Sequence, residues 1–315
     1  MTKIVTLTIN PTIDRSTYVD RVVPDRKLRC APPRDEPGGG GVNVSRAIKR
    51  LGGQSRAIYA MGGATGDMLR SLLDAEALDH QPLAIRDLTR LNLMVLDESS
   101  DRQFRFGMPG PQLDKTEWER CLDAVASVGK DVDYIVGSGS LPRGVPDDFY
   151  AQVADLGREA GARVIVDTAG EPLRLAAEAG VYMLKPNMRE LGHLAHHDIE
   201  DEEEQVAVAE DIVQRGWAEV VMVTLGAAGA LLATADGTRR FRAPTVQIHS
   251  KIGAGDSTVA GVVLSLAQGK SLEDAVRYGI AAGSAAVMTP GTELCRKEDT
   301  ERLYERIQSG DKEHS

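Results

Sequence analysis

Short β-branched runs recur along this chain with longer helical patterns between them, and that alternation narrows the possible folds more than any other feature. Residues 4–9, 134–136, 164–166, 182–184 and 220–224 read as buried strands bounded by Gly, Asp or Pro. Residues 43–51, 117–126, 147–160, 202–215 and 257–267 carry apolar side chains at helical spacing. Apolar strands separated by helices build a parallel sheet covered by helices on both faces. Such sheets gather ligands beyond the carboxyl ends of their strands, where the loops meet. The strand ends here read Gly137-Ser138-Gly139-Ser140, Asp167-Thr168, Lys185-Pro186-Asn187 and Gly226. Those small and polar residues fit one long cleft.

Two segments break the alternation. Residues 14–36 and 89–108 contain short polar–apolar runs, such as Leu91-Asn92-Leu93-Met94-Val95-Leu96 and Gln103-Phe104-Arg105-Phe106. These have the pattern of half-exposed strands in a small antiparallel sheet. Combined, they would form a flap over the cleft; the alternative is a pair of long surface hairpins. The expected organisation is therefore a core of residues 1–13, 37–88 and 109–310, a discontinuous β lid of residues 14–36 and 89–108, and a flexible tail at 311–315. The polar stretch leading into that tail begins at Gln308.

Charge and cysteines limit the partners. A net charge of −10 over 315 residues argues against nucleic acid or an anionic membrane as the main partner, while leaving phosphorylated small molecules open. Cys30, Cys121 and Cys295 are widely spaced and in no metal-ligand pattern, which suits a reducing, cytoplasmic setting. The start at Met1 reads as a strand rather than a signal sequence. The longest apolar stretch, residues 220–233, is interrupted by Thr224, Gly226 and Gly229 and is too short for a bilayer.

The chemistry concentrates in a few strings. In Lys251-Ile252-Gly253-Ala254-Gly255-Asp256-Ser257, two glycines flank an alanine, one carboxylate follows, and a helical apolar run begins at once. Small residues admit an anion close to the backbone, and a helix N-terminus offers unpaired amides there. Asp256 either caps that helix or, if the amides hold a transferring phosphate, is free to accept a proton from an attacking hydroxyl. Pro37-Gly38-Gly39-Gly40-Gly41-Val42-Asn43-Val44 is the second signal: a glycine run that is either a hinge or a backbone that must approach something closely. It lacks the Gly-Lys-Ser ending of a Walker loop, and no Gly-x-Gly-x-x-Gly follows the first strand. Asn187 and Glu190, three apart at a helix start, suit either a hydrated Mg²⁺ or a capping box. Thr224-Leu225-Gly226-Ala227-Ala228-Gly229 reads as a tight turn between strands. Arg90, Arg105 and Lys27 lie on the proposed flap, where cations would clamp a phosphate. His193, His196 and His197 adjoin an acidic run and read as a solvated loop.

In order and spacing, the Gly-Gly-Gly-Gly-Val-Asn-Val-Ser-Arg-Ala, Lys-Pro-Asn-x-x-Glu and Gly-Ala-Gly-Asp segments resemble the ribokinase-like PfkB sugar kinases across almost the whole chain. The resemblance implies a three-layer α/β/α fold with a mainly parallel central sheet and a small β-sheet lid. It implies ATP and Mg²⁺ as cofactors, a K⁺ site in many members, a sugar phosphate as partner, and a homodimer joined through the lid. Asp256 becomes the general base and Gly253, Ala254 and Gly255 the anion hole. Asp14, Gly39 and Asn43 would hold sugar hydroxyls, with Lys27, Arg90 and Arg105 toward its phosphate and Ser140 a further substrate contact. Lys185, Asn187, Thr224, Gly226 and Gly229 would line the nucleotide, with Glu190 reaching Mg²⁺ through water. Ser250, Ile252, Ala286 and Gly291 match the monovalent-cation site.

Within that family, Lys27-Leu28-Arg29-Cys30, Gly62-Gly63-Ala64-Thr65-Gly66 and Gly139-Ser140-Leu141-Pro142 resemble the branch that phosphorylates fructose 6-phosphate. Kinases of fructose 1-phosphate and tagatose 6-phosphate, the alternative acceptors, typically carry a Lys within the glycine run. A non-catalytic sensor on this fold would be expected to lack the base or the anion hole. Thr289 and Glu293 depart from the pattern, standing where Asn and Arg are expected, and put the cation site in question.

Overall fold

A computed structural model describes the backbone of residues 3–313 and side chains through Ser309. The strands are β1 (Ile4–Thr8), β2 (Thr12–Val19), β3 (Arg34–Gly38), β4 (Arg56–Met61), β5 (Asp79–Ala84), β6 (Arg90–Asp97), β7 (Arg102–Phe106), β8 (Tyr134–Ser138), β9 (Arg163–Asp167), β10 (Val181–Leu184), β11 (Ala218–Thr224), β12 (Ala230–Thr234) and β13 (Gly237–Phe241). The helices are α1 (Gly40–Arg50), α2 (Gly63–Ala75), α3 (Lys115–Ala126), α4 (Phe149–Ala160), α5 (Glu171–Glu178), α6 (Met188–Ala195), α7 (Glu202–Gln214), α8 (Ala254–Ala267), α9 (Leu272–Val287) and α10 (Lys297–Glu313).

Nine strands form one sheet in the order β13-β12-β11-β10-β9-β8-β1-β4-β5. All neighbours from β11 to β5 pair in parallel, and β12 and β13 close one edge as antiparallel strands. Every residue of β1 and β8 is buried, as expected of strands covered on both faces. Successive side chains feed opposite cores. Val5, Ile135 and Val164 pack beneath α3 to α7, whereas Ile4, Val136 and Ile165 pack beneath α1, α8, α9 and α10. These are the three layers expected from the alternation.

Strand order reverses at β1: from it the chain runs outward through β4 and β5 on one side and through β8 to β11 on the other. The carboxyl ends of β1 and β8 therefore flank the crevice where such sheets bind ligands. Asn10 and Ser140 lie just beyond those two ends.

The two segments that break the alternation do join, forming a second sheet in the order β3-β2-β6-β7. It is mixed rather than antiparallel. β2 and β6 pair in parallel at its centre, each carrying an antiparallel partner outside. The physical reason is topological: β2 follows β1 and β6 follows β5, two parallel strands, so both excursions leave the same edge of the core in the same direction. The polar stretch from Gln308 is helical through Glu313, extending α10, and the last two residues of the expected tail lie outside the described residues. No described helix is long and apolar enough to cross a membrane.

Candidate active site

The centre of the cleft is the N-terminus of α8. Its N-cap is Gly253, in the left-handed region at φ 72°, and no side chain caps the first turn. A Cβ at Gly253 would stand 2.6 Å from Leu294 Cδ2, so glycine is required there by conformation and by space. Asp256 is the third helical residue, not the cap. Its Oδ2 instead accepts a hydrogen bond of 2.9 Å from Asn43 Nδ2 on α1. The first-turn amides remain for an anion, and the capping alternative for Asp256 is set aside.

Four elements set the charge around that carboxyl. Half-buried in the cleft floor, Asp256 has its pKa pushed up to about 7, first by loss of water and second by the charge of Asp167. The Asn43 hydrogen bond and Lys185 work the other way. Lys185, buried beyond β10, pairs with Asp167 at the end of β9 at 3.1 Å. Burial alone would lower its pKa, but the charge and hydrogen bond of Asp167, with Glu190 and Asp256 nearby, raise it on balance, so the ammonium is held charged. A Cβ on Gly255 would lie 3.7 Å from Lys185 Nζ, which sets the ammonium beside the open helix turn. Together these residues offer a helix end and a fixed cation for an anion, with a carboxylate poised to accept a proton.

Asn187 and Glu190 form the capping box of α6: Glu190 N donates to Asn187 Oδ1 at 3.0 Å, and Asn187 N donates to Glu190 Oε2 at 2.8 Å. Burial raises the Glu190 pKa. One carboxylate oxygen is thus engaged in the cap, while the side chain stays close enough to Lys185 to support its charge. Thr224 N donates to Pro186 O at 2.9 Å, which ties the end of β11 to this corner. Gly226 and Gly229 bracket the short turn into β12, both at positive φ. Among the described residues no group of three or more His, Cys, Asp or Glu is arranged for a metal, so a divalent ion has no ready-made acidic cage here.

On the other side of Asp256, a cavity of about 230 Å³ opens between the small sheet and the loops at Ile252 and Thr292, lined also by Asp14, Asn92, Met94 and Arg105. Burial lifts the pKa of Asp14, whose Oδ1 accepts from Asn92 Nδ2 at 3.0 Å. Asp14 sits over the glycine run, where a Cβ on Gly38 would fall 2.1 Å from its Oδ2. Gly39 is the N-cap of α1 at φ 106°. The run is therefore a close-packed floor and not a hinge. Arg90 Nη2 donates to Asn10 O at 3.0 Å, and Asn10 Nδ2 donates to Ser140 Oγ at 3.0 Å. Arg90 Nε and Asn10 Oδ1 are buried without protein partners, which marks this corner as fitted for something polar. Lys27 is not brought here: it is exposed on the β2–β3 loop and outside the cavity lining.

The cation-loop residues do meet. Ser250 Oγ donates to Gly291 O at 2.6 Å and accepts from Ile252 N at 3.2 Å. Thr289 Oγ1 lies 2.7 Å from Ala286 O. The carboxylate of Glu293 turns away from this loop to Arg296 at 2.9 Å and Arg50 at 3.7 Å. The Arg296 hydrogen bond foremost holds its pKa down, so the acidic departure is neutralised outside the loop.

The sequence alone points to no role for Asp167, Asn92 or Asn10 in the site. Asp167 alone carries a sequence signal, as a strand-end carboxylate; Asn92 meets Asp14 across 78 residues.

The model of the pfkB family carbohydrate kinases matches residues 1–299. An ATP-dependent 6-phosphofructokinase isozyme 2 from Mycobacterium tuberculosis is 42% identical over 303 residues, covering 96% of this chain and 89% of that one. The isozyme 2 of Escherichia coli K12 is 41% identical, covering 96% and 98%. A crystal structure of phosphofructokinase-2 from Escherichia coli in complex with potassium superposes with a TM-score of 0.94 at 40% identity, covering 98% of this chain and all of that one.

Proposed function

We propose, on the premise that this chain belongs to the pfkB family of carbohydrate kinases, that it transfers the γ-phosphoryl group of ATP to the C1 hydroxyl of fructose 6-phosphate. It is a phosphotransferase with an alcohol acceptor. The observation that carries the reading is the uncapped first turn of α8 with Asp256 on it: an anion site and a proton acceptor within one helical turn.

The sugar enters the cavity beneath the small sheet. Asp14 and Asn43, with the backbone at Gly39, hold its hydroxyls. Arg90, Arg105 and Ser140 face its phosphate, and Arg suits that role because its planar fork pairs with two phosphate oxygens. ATP lies along Lys185, Asn187, Thr224, Gly226 and Gly229. As the C1 oxygen attacks, Asp256 takes its proton, and the amides of Gly253, Ala254 and Gly255 meet the charge on the transferring group. Lys185, kept charged by Asp167, balances the phosphates. Glu190 would hold the nucleotide's Mg²⁺ through water, which fits a carboxylate with one oxygen already engaged. Mg²⁺ would supply charge neutralisation on the phosphates, and the loop of Ser250, Ile252, Ala286 and Gly291 would hold K⁺. Residues 14–36 and 89–108 act as the lid, excluding water from the reaction. Lys27 belongs to that lid and reaches a sugar phosphate only if the β2–β3 loop moves or a second lid supplies it. Tyr18, Phe104 and Phe106, exposed on the lid strands, support pairing of two lids in a homodimer. Three free cysteines suit a cytoplasmic setting.

Asp256→Asn tests the reading directly. Turnover should fall by a factor on the order of 10² to 10⁴, the range for loss of a general base, with ATP affinity by calorimetry within a few-fold of the parent. Near-native turnover in that variant would remove Asp256 as the base.

A further inference from the structure

Behind Asn43 lies a buried ionic cluster with no part in the roles above. Arg46, one turn further along α1, is the largest fully buried side chain among the described residues. A guanidinium cannot shed its proton at any ordinary pH, so burying one requires a partner for each of its five N–H groups. Four hydrogen bonds and one ion-pair contact meet that demand. Nε lies 2.8 Å from Glu76 Oε2, and Nη2 lies 2.6 Å from Glu76 Oε1. Nη2 also stands 3.7 Å from Glu36 Oε1, an ion-pair distance. Nη1 donates to Pro37 O at 2.7 Å and to Asn43 Oδ1 at 3.5 Å.

That last contact has a chemical consequence. A guanidinium donates and never accepts, so only the carboxamide oxygen of Asn43 faces it without repulsion. The carboxamide NH2 is then left facing the other way, where it donates to Asp256 Oδ2. The reversed amide would set two donors against each other at Arg46 and two acceptors against each other at Asp256. The three-residue spacing on α1 holds Arg46 and Asn43 on one helix face, and the Pro37 contact fixes the entry to the glycine run with the same group.

We propose that Arg46, anchored by Glu76, is a positioning residue that orients the Asn43 carboxamide so that its NH2 faces the base and the reacting hydroxyl. The proposal rests on the kinase reading for its catalytic consequence. Its geometric content stands independently of that reading.

The test uses Glu76→Gln and Arg46→Lys, each alone and in an Asn43→Ala background, assayed with MgATP and fructose 6-phosphate. Glu76 is one-third exposed, so its amide replacement leaves a foldable chain even if Arg46→Lys does not fold. Each single change should lower kcat between about tenfold and a hundredfold, the scale of a displaced catalytic group, with KM for ATP little changed. In the Asn43→Ala background the same changes should cost almost nothing further, because no carboxamide is left to orient. Equal losses in both backgrounds overturn the proposal, since a general structural defect would act in either. A second readout needs no turnover. The Asn43 side-chain NH2 resonance, assigned by its absence in Asn43→Ala, should lose protection from exchange in Glu76→Gln. Unchanged protection overturns the proposal. Failure of the kinase reading shows separately, as absence of ADP release by the unaltered chain with every acceptor.

Discussion

Asp256 carries a raised proton affinity, and the sign of its effect differs between activity and stability. As a base it must be ionised, so kcat/KM for the sugar phosphate should fall about tenfold per pH unit below about 7. A flat profile from pH 5.5 to 8 would contradict that assignment. For stability the folded pKa of about 7 stands above the unfolded value of 3.8, so between those limits the folded state binds the extra proton. Asp256 therefore weakens the fold most above pH 7, and the penalty is relieved as the pH falls toward 4. Asp256→Asn should accordingly raise Tm at pH 8 even as turnover falls, and a lowered Tm there would count against the dehydrated carboxyl. Arg105→Ala, at the cavity wall, should raise KM for the phosphorylated sugar and leave KM for ATP nearly unchanged. An unaffected sugar KM would take Arg105 out of the phosphate contact.

At the scale of elements, the α8 N-terminus matters because nothing caps it. Gly253→Ala should destabilise the chain by at least about 1–2 kcal/mol, since an L-residue pays for a left-handed backbone and the new methyl meets Leu294. Thermal unfolding reads the stability loss, and kcat should fall with it as the first turn is displaced. Full activity in that variant would argue that the helix end does not hold the transferring phosphate. The parts of the site legible in the sequence are those carried by one short segment, such as Gly253 to Asp256, Asn43 after its glycines, and Lys185 to Glu190. Asp167, Asn92 and Arg46 acquire their roles only through partners on other elements. Arg46 meets Glu76 across 30 residues, and no local pattern announces that pairing. Likewise, the polar–apolar alternation of residues 91–96 identified a strand, but its parallel pairing with β2 follows from where both strands leave the core sheet. The alternative capping roles split by the same logic: Asn187 and Glu190 do form a capping box, while Asp256 does not, because a glycine with positive φ took the N-cap position.

Over the whole molecule, the parallel sheet places the carboxyl ends of β1, β8, β9, β10 and β11 along one edge, and the small sheet stands over that edge with its outer strand β7 exposed along its length. Light scattering on the purified chain should give the mass of two chains, and Phe104→Asp on β7 should shift it toward one. A single-chain mass for the unaltered protein would remove the lid-paired dimer. The phosphotransfer account itself is tested most directly by ADP release with MgATP and K⁺, comparing fructose 6-phosphate, fructose 1-phosphate, tagatose 6-phosphate, ribose and adenosine. The account predicts a clear lead in kcat/KM for fructose 6-phosphate. Turnover led by an unphosphorylated acceptor, or no turnover with any of the five, would contradict it.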